Sequence, residues 1–186
     1  KNSNMETYIR SYDDVLDSST CKDLIAKFEQ SENQYEAHDN NLMSFTQINL
    51  MRHNDWRIFY DTLELSFRSC IDRYKDDCQI WAGMFPKKFG FEEYRMKRYL
   101  PDGKDQFRNH VDVIDYNTAR RFLVFFLYLN EPEGGETEFH CFNGEKIKPK
   151  TGRMCMFPPM WTHLHSGNAV MGTKPKYIIG SYLHYV

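Results

Sequence analysis

A nearly continuous apolar run, Phe122–Asn130, constrains the fold of this 186-residue chain more than any other segment. The run is too short for a typical helix and far too short to cross a bilayer, so it predicts a buried central strand. Such a strand needs a hydrogen-bonded strand on each side and apolar side chains packed against its faces. The chain has the length of one domain, which is about 100–200 residues in typical proteins.

Two amphipathic helices are predicted before this strand. The first follows the capping residues Ser18–Thr20 and ends near Gln30, and its apolar residues recur at helical spacing. The second covers 54–77 with one apolar stripe, which is typical of a helix that lies on a large flat surface. Beyond Ile80 the pattern changes to short strands. They are predicted at 91–100, 107–114, 137–141, 153–157, 161–165 and 176–185.

Helices followed by short strands predict an α+β fold in a single domain, 1–186. We expect 1–80 to be the helical part and 81–186 to form a twisted β-sandwich or barrel that the helices brace.

Charge and cysteine content narrow the classes of partner and compartment. The chain has 24 Lys and Arg against 26 Asp and Glu, so no net basic field favours a nucleic-acid partner, and we expect no membrane partner either. Five cysteines without a C-x-x-C pair are typical of thiols in a reducing compartment. With no secretory h-region, a cytoplasmic location is expected, although the start at Lys1 leaves a trimmed leader open. The oligomeric state stays open.

Four residues are candidate metal ligands. In His110-Val-Asp112 the imidazole and carboxylate are two residues apart, and on a strand both would point to the same face. His163 and His165 repeat this spacing about fifty residues later. One further imidazole beside His110 and Asp112 would complete a two-His, one-carboxylate facial triad. That ligand set suits non-haem Fe(II) and leaves coordination positions open for a 2-oxo acid and O₂.

An enzyme that uses a 2-oxo acid also needs a cation for its second carboxylate. Lys176 follows His165 by eleven residues on the next predicted strand, and Lys174 is the competing candidate.

An ordered set of motifs indicates a known family. Its segments are Arg98-Tyr99…Gly103…His110-Val-Asp112, Arg121…Phe126-Leu-Tyr128-Leu-Asn130, Gly134-Gly135-Glu-Thr-Glu-Phe139, Phe157-Pro158, and His165-x-Gly167-x-x-Val170…Gly172…Lys176-Tyr177. With Tyr12-Asp-Asp-Val-Leu and the helix after it, the chain resembles the prolyl-4-hydroxylase-like branch of the Fe(II)/2-oxoglutarate-dependent dioxygenases over essentially its whole length.

The resemblance implies a double-stranded β-helix (jelly-roll) core braced by the N-terminal helices. It implies that His110, Asp112 and His165 bind Fe(II), with His165 preferred to His163. Lys176 would pair with the distal carboxylate of 2-oxoglutarate, and Tyr128 and Tyr99 would belong to the same cosubstrate site. O₂ would be the second cosubstrate and ascorbate a reductant. The implied reaction couples conversion of 2-oxoglutarate to succinate and CO₂ with hydroxylation of a C–H bond.

The resemblance also implies a peptide or protein substrate that is hydroxylated on proline. Arg121 lies where some relatives contact a peptide, and Trp161 is among the aromatic residues that could line a groove for a Pro-rich segment. Others are Phe85, Phe89 and Phe91, within a flap expected at 81–91.

Three alternatives stay open. One is the same chemistry on a free amino acid or another small molecule. A nucleic-acid demethylase is disfavoured, because that branch uses two arginines where this chain has Lys176 and Tyr182. The third is a catalytically silent β-sandwich binding module.

Overall fold

The predicted central strand lies at Arg121–Tyr128 and pairs with an antiparallel strand on each side. The computed structural model describes residues 7–186, and their strands form a nearly closed antiparallel sheet outside which the helices pack. This confirms the predicted jelly-roll. In chain order the strands are β1 (Arg10–Tyr12), β2 (Glu36–Asp39), β3 (Met43–Asn49), β4 (Phe89–Phe91), β5 (Arg95–Tyr99), β6 (Gln106–His110), β7 (Arg121–Tyr128), β8 (Glu133–Gly134), β9 (Thr137–Phe139), β10 (Glu145–Ile147), β11 (Arg153–Phe157), β12 (His165–Gly167), β13 (Val170–Met171) and β14 (Lys176–Tyr185).

The sheet order is β1-β11-β7-β14-β5-β3-β6-β12-β9-β10. Strand β2 adds to β3 and β4 adds to β14, while β8 and β13 form a separate pair. The long strands β7 and β14 therefore lie near the middle of one half of the sheet. Strands β6, β12 and β9 form the other half, and β3 connects the two.

Both predicted helices are present. Helix α1 (Ser18–Glu29) begins at an N-cap, Asp17, whose carboxylate accepts a hydrogen bond from the Thr20 amide at 2.9 Å. Helix α2 (Tyr60–Asp77) continues from a 3₁₀ segment at Asn54–Phe59. Two further 3₁₀ turns lie at Glu32–Gln34 and Leu50–Arg52.

Alternation along the strands gives the central sheet two different faces. The helix face carries fully buried apolar side chains that pack against α1 and α2; they include Ile48, Met96, Phe125, Leu127 and Ile179. The opposite face, which we call the cavity face, carries Phe45, Lys97, Phe126, Tyr128, Lys176 and Tyr182. The helices therefore stabilise the sheet from one side and leave the other side open to ligands.

The first eighty residues are not all helical as expected. They contribute β1 beside β11 and the β2–β3 hairpin, and β3 joins β5 to β6. These strands are short or polar on one side, and they are stabilised by pairing with strands far along the chain, so local periodicity does not reveal them.

Several predicted strand boundaries are wrong. The strand predicted at 91–100 is divided between β4 and β5, and the strand predicted at 137–141 ends at Phe139. Strand β6 ends at His110 rather than Ile114, and β12 begins at His165 rather than Trp161. Strand β6 ends early because the Pro159 carbonyl accepts hydrogen bonds from the Asp112 and Val113 amides, so these amides do not continue the pairing of β6.

The aromatic residues of the flap expected at 81–91 belong to the core instead. Phe85, Phe89 and Phe91 pack against the helix-face core, and β4 fixes the last two beside β14. None of the helices within residues 7–186 is long and apolar enough to cross a membrane.

Candidate active site

Three side chains with metal-ligand atoms meet where β6 and β12 pair. The ligand atoms of His110, Asp112 and His165 all lie within 4.8 Å of one another. His110 and His165 are direct cross-strand partners, and their ring centroids are 4.3 Å apart. His110 Nε2 lies 3.8 Å from Asp112 Oδ1, and His165 Nε2 lies 3.5 Å from Asp112 Oδ2. The structure therefore brings together the three residues of the expected triad.

Both imidazoles of this cluster are oriented by backbone carbonyls. His110 Nδ1 donates to the Arg108 carbonyl at 2.7 Å, and His165 Nδ1 donates to the His163 carbonyl at 2.9 Å. Each ring thus turns Nε2 toward Asp112, which is the arrangement that metal-ligating histidines adopt. Burial, with a smaller effect of the neighbouring His165, lowers the pKa of His110 to about 4. The imidazole is therefore neutral near pH 7, as a metal ligand must be.

Asp112 lies beyond the end of β6 and is held from several sides. Its amide donates to the Pro159 carbonyl at 2.9 Å, and Tyr182 donates its hydroxyl hydrogen to Oδ1 at 2.6 Å. Oδ2 is buried and has no hydrogen-bond partner in the described part of the chain. Since a buried carboxylate oxygen without a partner is costly, this atom fits the place of a bound cation. Two imidazoles and one carboxylate are a donor set that fits Fe(II).

His163 does not join the cluster. Its Nδ1 is hydrogen-bonded to Thr162 Oγ1 at 2.7 Å and its Nε2 to the Thr7 carbonyl at 2.6 Å. The expectation that His163 and His165 share a strand face is wrong, because only His165 lies on the strand.

Two adjoining cavities open from this cluster. The inner cavity, of about 70 Å³, is lined by Tyr99, Tyr128, Thr137, Gly167 and Lys176 together with the three clustered residues. The outer cavity, of about 390 Å³, reaches the surface. Both are walled by Lys97, Phe107, His110, Asp112 and Tyr182, so the cluster lies at their junction.

Lys176 is the buried cation of the inner cavity. It is 2% exposed, its Nζ donates to the Gly135 carbonyl at 2.9 Å, and it lies 4.3 Å from the Tyr99 ring centroid. Burial lowers its pKa to about 7. Gly135 has φ +70°, and a Cβ there would lie 3.0 Å from Lys176 Cδ, so glycine is needed for this approach. Lys174, by contrast, is exposed.

The two expected tyrosines also lie in the inner cavity. The Tyr128 hydroxyl is 2.5 Å from Thr137 Oγ1 and donates to the Ile147 carbonyl at 3.3 Å. Tyr99 is buried beneath Lys176 and pairs with it across β5 and β14. A small dicarboxylate in this cavity would meet a cation and hydroxyl groups at one end and the His–Asp cluster at the other.

Comparison with known proteins assigns the site to a family. Residues 94–184, which include every residue of the cluster and Lys176, match the family described as the 2OG-Fe(II) oxygenase superfamily. Residues 94–184 therefore form a 2OG-Fe(II) oxygenase domain. Membership implies Fe(II), 2-oxoglutarate and O₂, and the donor set found at the cluster fits the iron.

Three of the solved structures with a similar fold are prolyl hydroxylases. A viral collagen prolyl hydroxylase from Paramecium bursaria Chlorella virus-1, in complex with 2OG, is 23% identical over 97% of both chains, with a TM-score of 0.71. A Trichoplax adhaerens prolyl hydroxylase in complex with a hypoxia-inducible factor peptide fragment is 15% identical over 96% of this chain and 84% of that one, with a TM-score of 0.74. A Pseudomonas putida prolyl-4-hydroxylase is 15% identical over 97% and 94%, with a TM-score of 0.69. No curated protein sequence matches the chain. The fold of the oxygenase is prolyl-4-hydroxylase-like.

The two residues expected to contact substrate lie in different surroundings. Arg121 lines the outer cavity, but its guanidinium donates to both carboxylate oxygens of Glu92 and to the Asp112 carbonyl. It also lies 4.0 Å from the Tyr182 ring centroid. Trp161 is 78% exposed and, within residues 7–186, is not part of either cavity wall.

Three residues that line the cavities were not predicted as site residues from the sequence. Tyr182 and Lys97 could have been found, because Tyr182 is six residues from Lys176 and Lys97 is two from Tyr99, so each pair shares a strand face. His38 also lines the outer cavity, and its buried Nε2 has no hydrogen-bond partner among residues 7–186. No local pattern marks it.

Proposed function

We propose that this oxygenase hydroxylates proline within a peptide, with iron held by His110, Asp112 and His165. The observation that carries the proposal is the junction of the two cavities at this cluster, since one is a small space lined by a lysine and hydroxyl groups and the other opens to the surface. Bound iron(II) would supply activation of O₂, coupled to decarboxylation of 2-oxoglutarate, for hydroxylation of a C–H bond.

The inner cavity supports a 2-oxoglutarate site. Lys176 would pair with the distal carboxylate, because no carboxylate of residues 7–186 lies within ion-pair distance of its buried Nζ. The Tyr128 and Thr137 hydroxyls, joined to each other, would hydrogen-bond to the same end of the ligand. Tyr99 would hold the lysine in place through its ring.

Residues around the cluster would position the iron ligands. Tyr182 fixes one oxygen of Asp112 and so directs the other toward the two imidazoles. Phe107 stacks on His110 at 3.5 Å between centroids. We propose that Arg121 acts here as a positioning residue, since its donors hold Glu92 and the backbone of Asp112.

A peptide substrate is supported by the outer cavity and by the similar structures. Phe45, Phe107 and Phe126 line the cavity, and Pro-rich segments bind to such aromatic surfaces at low entropy cost. Ile114 stands at its rim, 76% exposed. One similar prolyl hydroxylase is in complex with a peptide fragment. Trp161 would meet parts of a longer peptide outside the cavity.

Succinate release with Pro-rich peptides, free proline and other amino acids tests the proposal. We expect peptide-dependent succinate formation and peptide products heavier by one oxygen atom. The Asp112→Asn variant should give neither. Turnover of a free amino acid with all peptides inert would instead assign the chemistry to a small-molecule substrate.

We also propose that the chain functions as a single domain in the cytoplasm. Cys21, Cys70 and Cys155 are buried thiols, and burial raises the pKa of the first two to about 11. Thiols held in this way are stable in a reducing compartment. Fractionation of cells that express the untagged protein would test the location.

A further inference from the structure

Lys97 occupies a distinctive position between the two cavities. It lies in the middle of β5, where it pairs with Ile178 on β14 and Gln47 on β3. Because side chains alternate along a strand, Arg95, Lys97 and Tyr99 share the cavity face and form a row from the outer to the inner cavity. Lys97 alone of these three lines both.

The ammonium group of Lys97 differs from the two neighbouring guanidinium groups in its partners. Arg95 pairs with Glu92 and Glu93, each at 3.4 Å, and Arg121 pairs with Glu92 at 2.7 Å. For Lys97 Nζ, no carboxylate of residues 7–186 lies within ion-pair distance. Its contacts are the rings of Phe45 and Phe107, at 4.5 and 5.6 Å from the centroids.

Asp112 has a carboxylate nearby, but it is not an ion-pair partner of Lys97. Tyr182 occupies Oδ1, and Oδ2 is the atom that the metal would take. Aromatic faces offset part of the cost of holding an ammonium out of water, but an apolar side chain would line the wall without that cost. The positive charge of Lys97 is therefore available to a group that enters the outer cavity.

We infer that Lys97 binds a carboxylate of the substrate, so that the preferred substrate carries an acidic group close to the carbon that is hydroxylated. In a peptide this group is an Asp or Glu that flanks the target proline. The inference rests on the proposed function. The carboxylate could also come from 2-oxoglutarate, for which Lys176 already supplies a cation, and the two sources differ in the kinetic constant that Lys97 controls.

The test compares Lys97→Gln and Lys97→Glu with a matched control, Lys75→Gln. Lys75 is also half-buried and lies 5.2 Å from the Phe85 ring centroid, but it is on α2, away from the cavities. The substrates are Pro-containing peptides that differ only in one flanking residue, which is Glu, Gln or Lys. Free carboxylic acids and their amides complete the panel. Mass gain, succinate release and KM for 2-oxoglutarate are measured for each.

We expect the wild type to favour the Glu peptide over the Gln peptide by about tenfold in kcat/KM, as for loss of a charged hydrogen bond. Lys97→Gln should abolish this preference, Lys97→Glu should shift it toward the Lys peptide, and Lys75→Gln should keep it. KM for 2-oxoglutarate should not change.

Other results overturn the inference. A wild type without charge preference, or a Lys97→Gln variant that keeps the preference, contradicts it. A raised KM for 2-oxoglutarate with the preference intact assigns Lys97 to the cosubstrate. If every peptide is inert, the proposed function fails. The inference then stands only if carboxylic acids, and not their amides, raise succinate release in the wild type and fail to do so in Lys97→Gln.

Discussion

Neighbouring residues of β7 do different work on the two faces of the sheet. Phe125 is fully buried on the helix face, where its ring lies 4.9 Å from that of Phe67 on α2. Phe126 is half-buried on the cavity face and lines both cavities. Strand β14 repeats the division, with Ile179 in the core and Lys176 facing the inner cavity.

One sheet can thus stabilise the fold on one face and carry the candidate site on the other. The helix face is mostly apolar, and its few polar groups, such as the Tyr177 hydroxyl, have partners within the protein, so it can be packed fully. The cavity face holds groups that we propose to be paired with ligands, such as Asp112 Oδ2 and the Lys97 ammonium. Such groups cost free energy in the empty protein and are stabilised when the ligands bind. Changes on the two faces should therefore have opposite effects on stability and activity.

The largest effect is expected on the cavity face, at Asp112. Asp112→Asn keeps the shape and the acceptor for Tyr182 but removes the charge beside the two imidazoles. Turnover of 2-oxoglutarate should fall to background, while the free energy of unfolding should stay close to that of the wild type. Succinate assays and urea denaturation measure the two quantities. Substantial turnover in the variant would show that Asp112 is not a ligand.

The opposite result is expected for the helix face. Phe125→Ala should lower the free energy of unfolding by about 3–5 kcal/mol, since it leaves a cavity against α2. Phe126→Ala should cost less, because its ring already borders open space. At low temperature, the folded fraction of Phe125→Ala should keep the wild-type KM for 2-oxoglutarate. Equal losses of stability in both variants would contradict the division between the faces.

Substitution of Lys176 should change only the binding of 2-oxoglutarate. Lys176→Met is expected to raise KM for 2-oxoglutarate about 10- to 100-fold, since a hydrogen bond to a charged group is lost. With a pKa of about 7, the wild-type lysine is mostly neutral at pH 8 and must gain a proton to pair with a carboxylate.

The proton uptake that this implies can be measured directly. Anaerobic titration calorimetry in buffers of different ionisation enthalpy should show uptake of a proton on 2-oxoglutarate binding at pH 8, and less at pH 6. Lys176→Met should show none, and the exposed-site variant Lys174→Met should behave as the wild type does. If Lys174→Met instead raises KM, the cosubstrate lysine has been misassigned.

A smaller effect is expected at Tyr182. Tyr182→Phe removes the hydroxyl that fixes Asp112 Oδ1 and leaves the packing of the ring in place. Loss of a partner of a metal ligand typically costs about 10- to 100-fold in metal affinity, and one hydrogen bond should lie at the low end of that range. Anaerobic titration with Fe(II) measures the change. Unchanged affinity would mean that Asp112 is held well enough by its backbone contacts.

The two faces also differ in how far the sequence predicts them. Helix α1, most of α2, and the bounds of β11 and β14 follow from local patterns, because their apolar residues recur at the spacing of a helix or form short continuous runs. Strand β3 does not follow from a local pattern, since its partners β5 and β6 lie about fifty residues away along the chain and its polar Gln47 faces a cavity. A pattern within one segment cannot show pairing at that distance.

The site was predicted in part. Spacing and resemblance identified His110, Asp112 and His165, which the structure places together. The reason given for their proximity was incomplete, because the Pro159 carbonyl, and not a continuous strand, holds Asp112 beside His110. Alternation within β5 and β14 places Lys97 beside Tyr99 and Tyr182 on the face of Lys176, but the hydrogen bond from Tyr182 to Asp112 joins residues 70 positions apart. Tertiary hydrogen bonds of this kind are absent from any single stretch of sequence.

The most direct test of the central claim, that His110, Asp112 and His165 form the iron site, compares two neighbouring histidines. Anaerobic Fe(II) titration of the wild type, His163→Ala and His165→Ala measures iron bound per chain. The structure predicts that His163→Ala binds one iron with nearly wild-type affinity, because that imidazole is bonded to Thr7 and Thr162, and that His165→Ala loses the iron. Loss of iron in His163→Ala with full binding in His165→Ala would contradict the account.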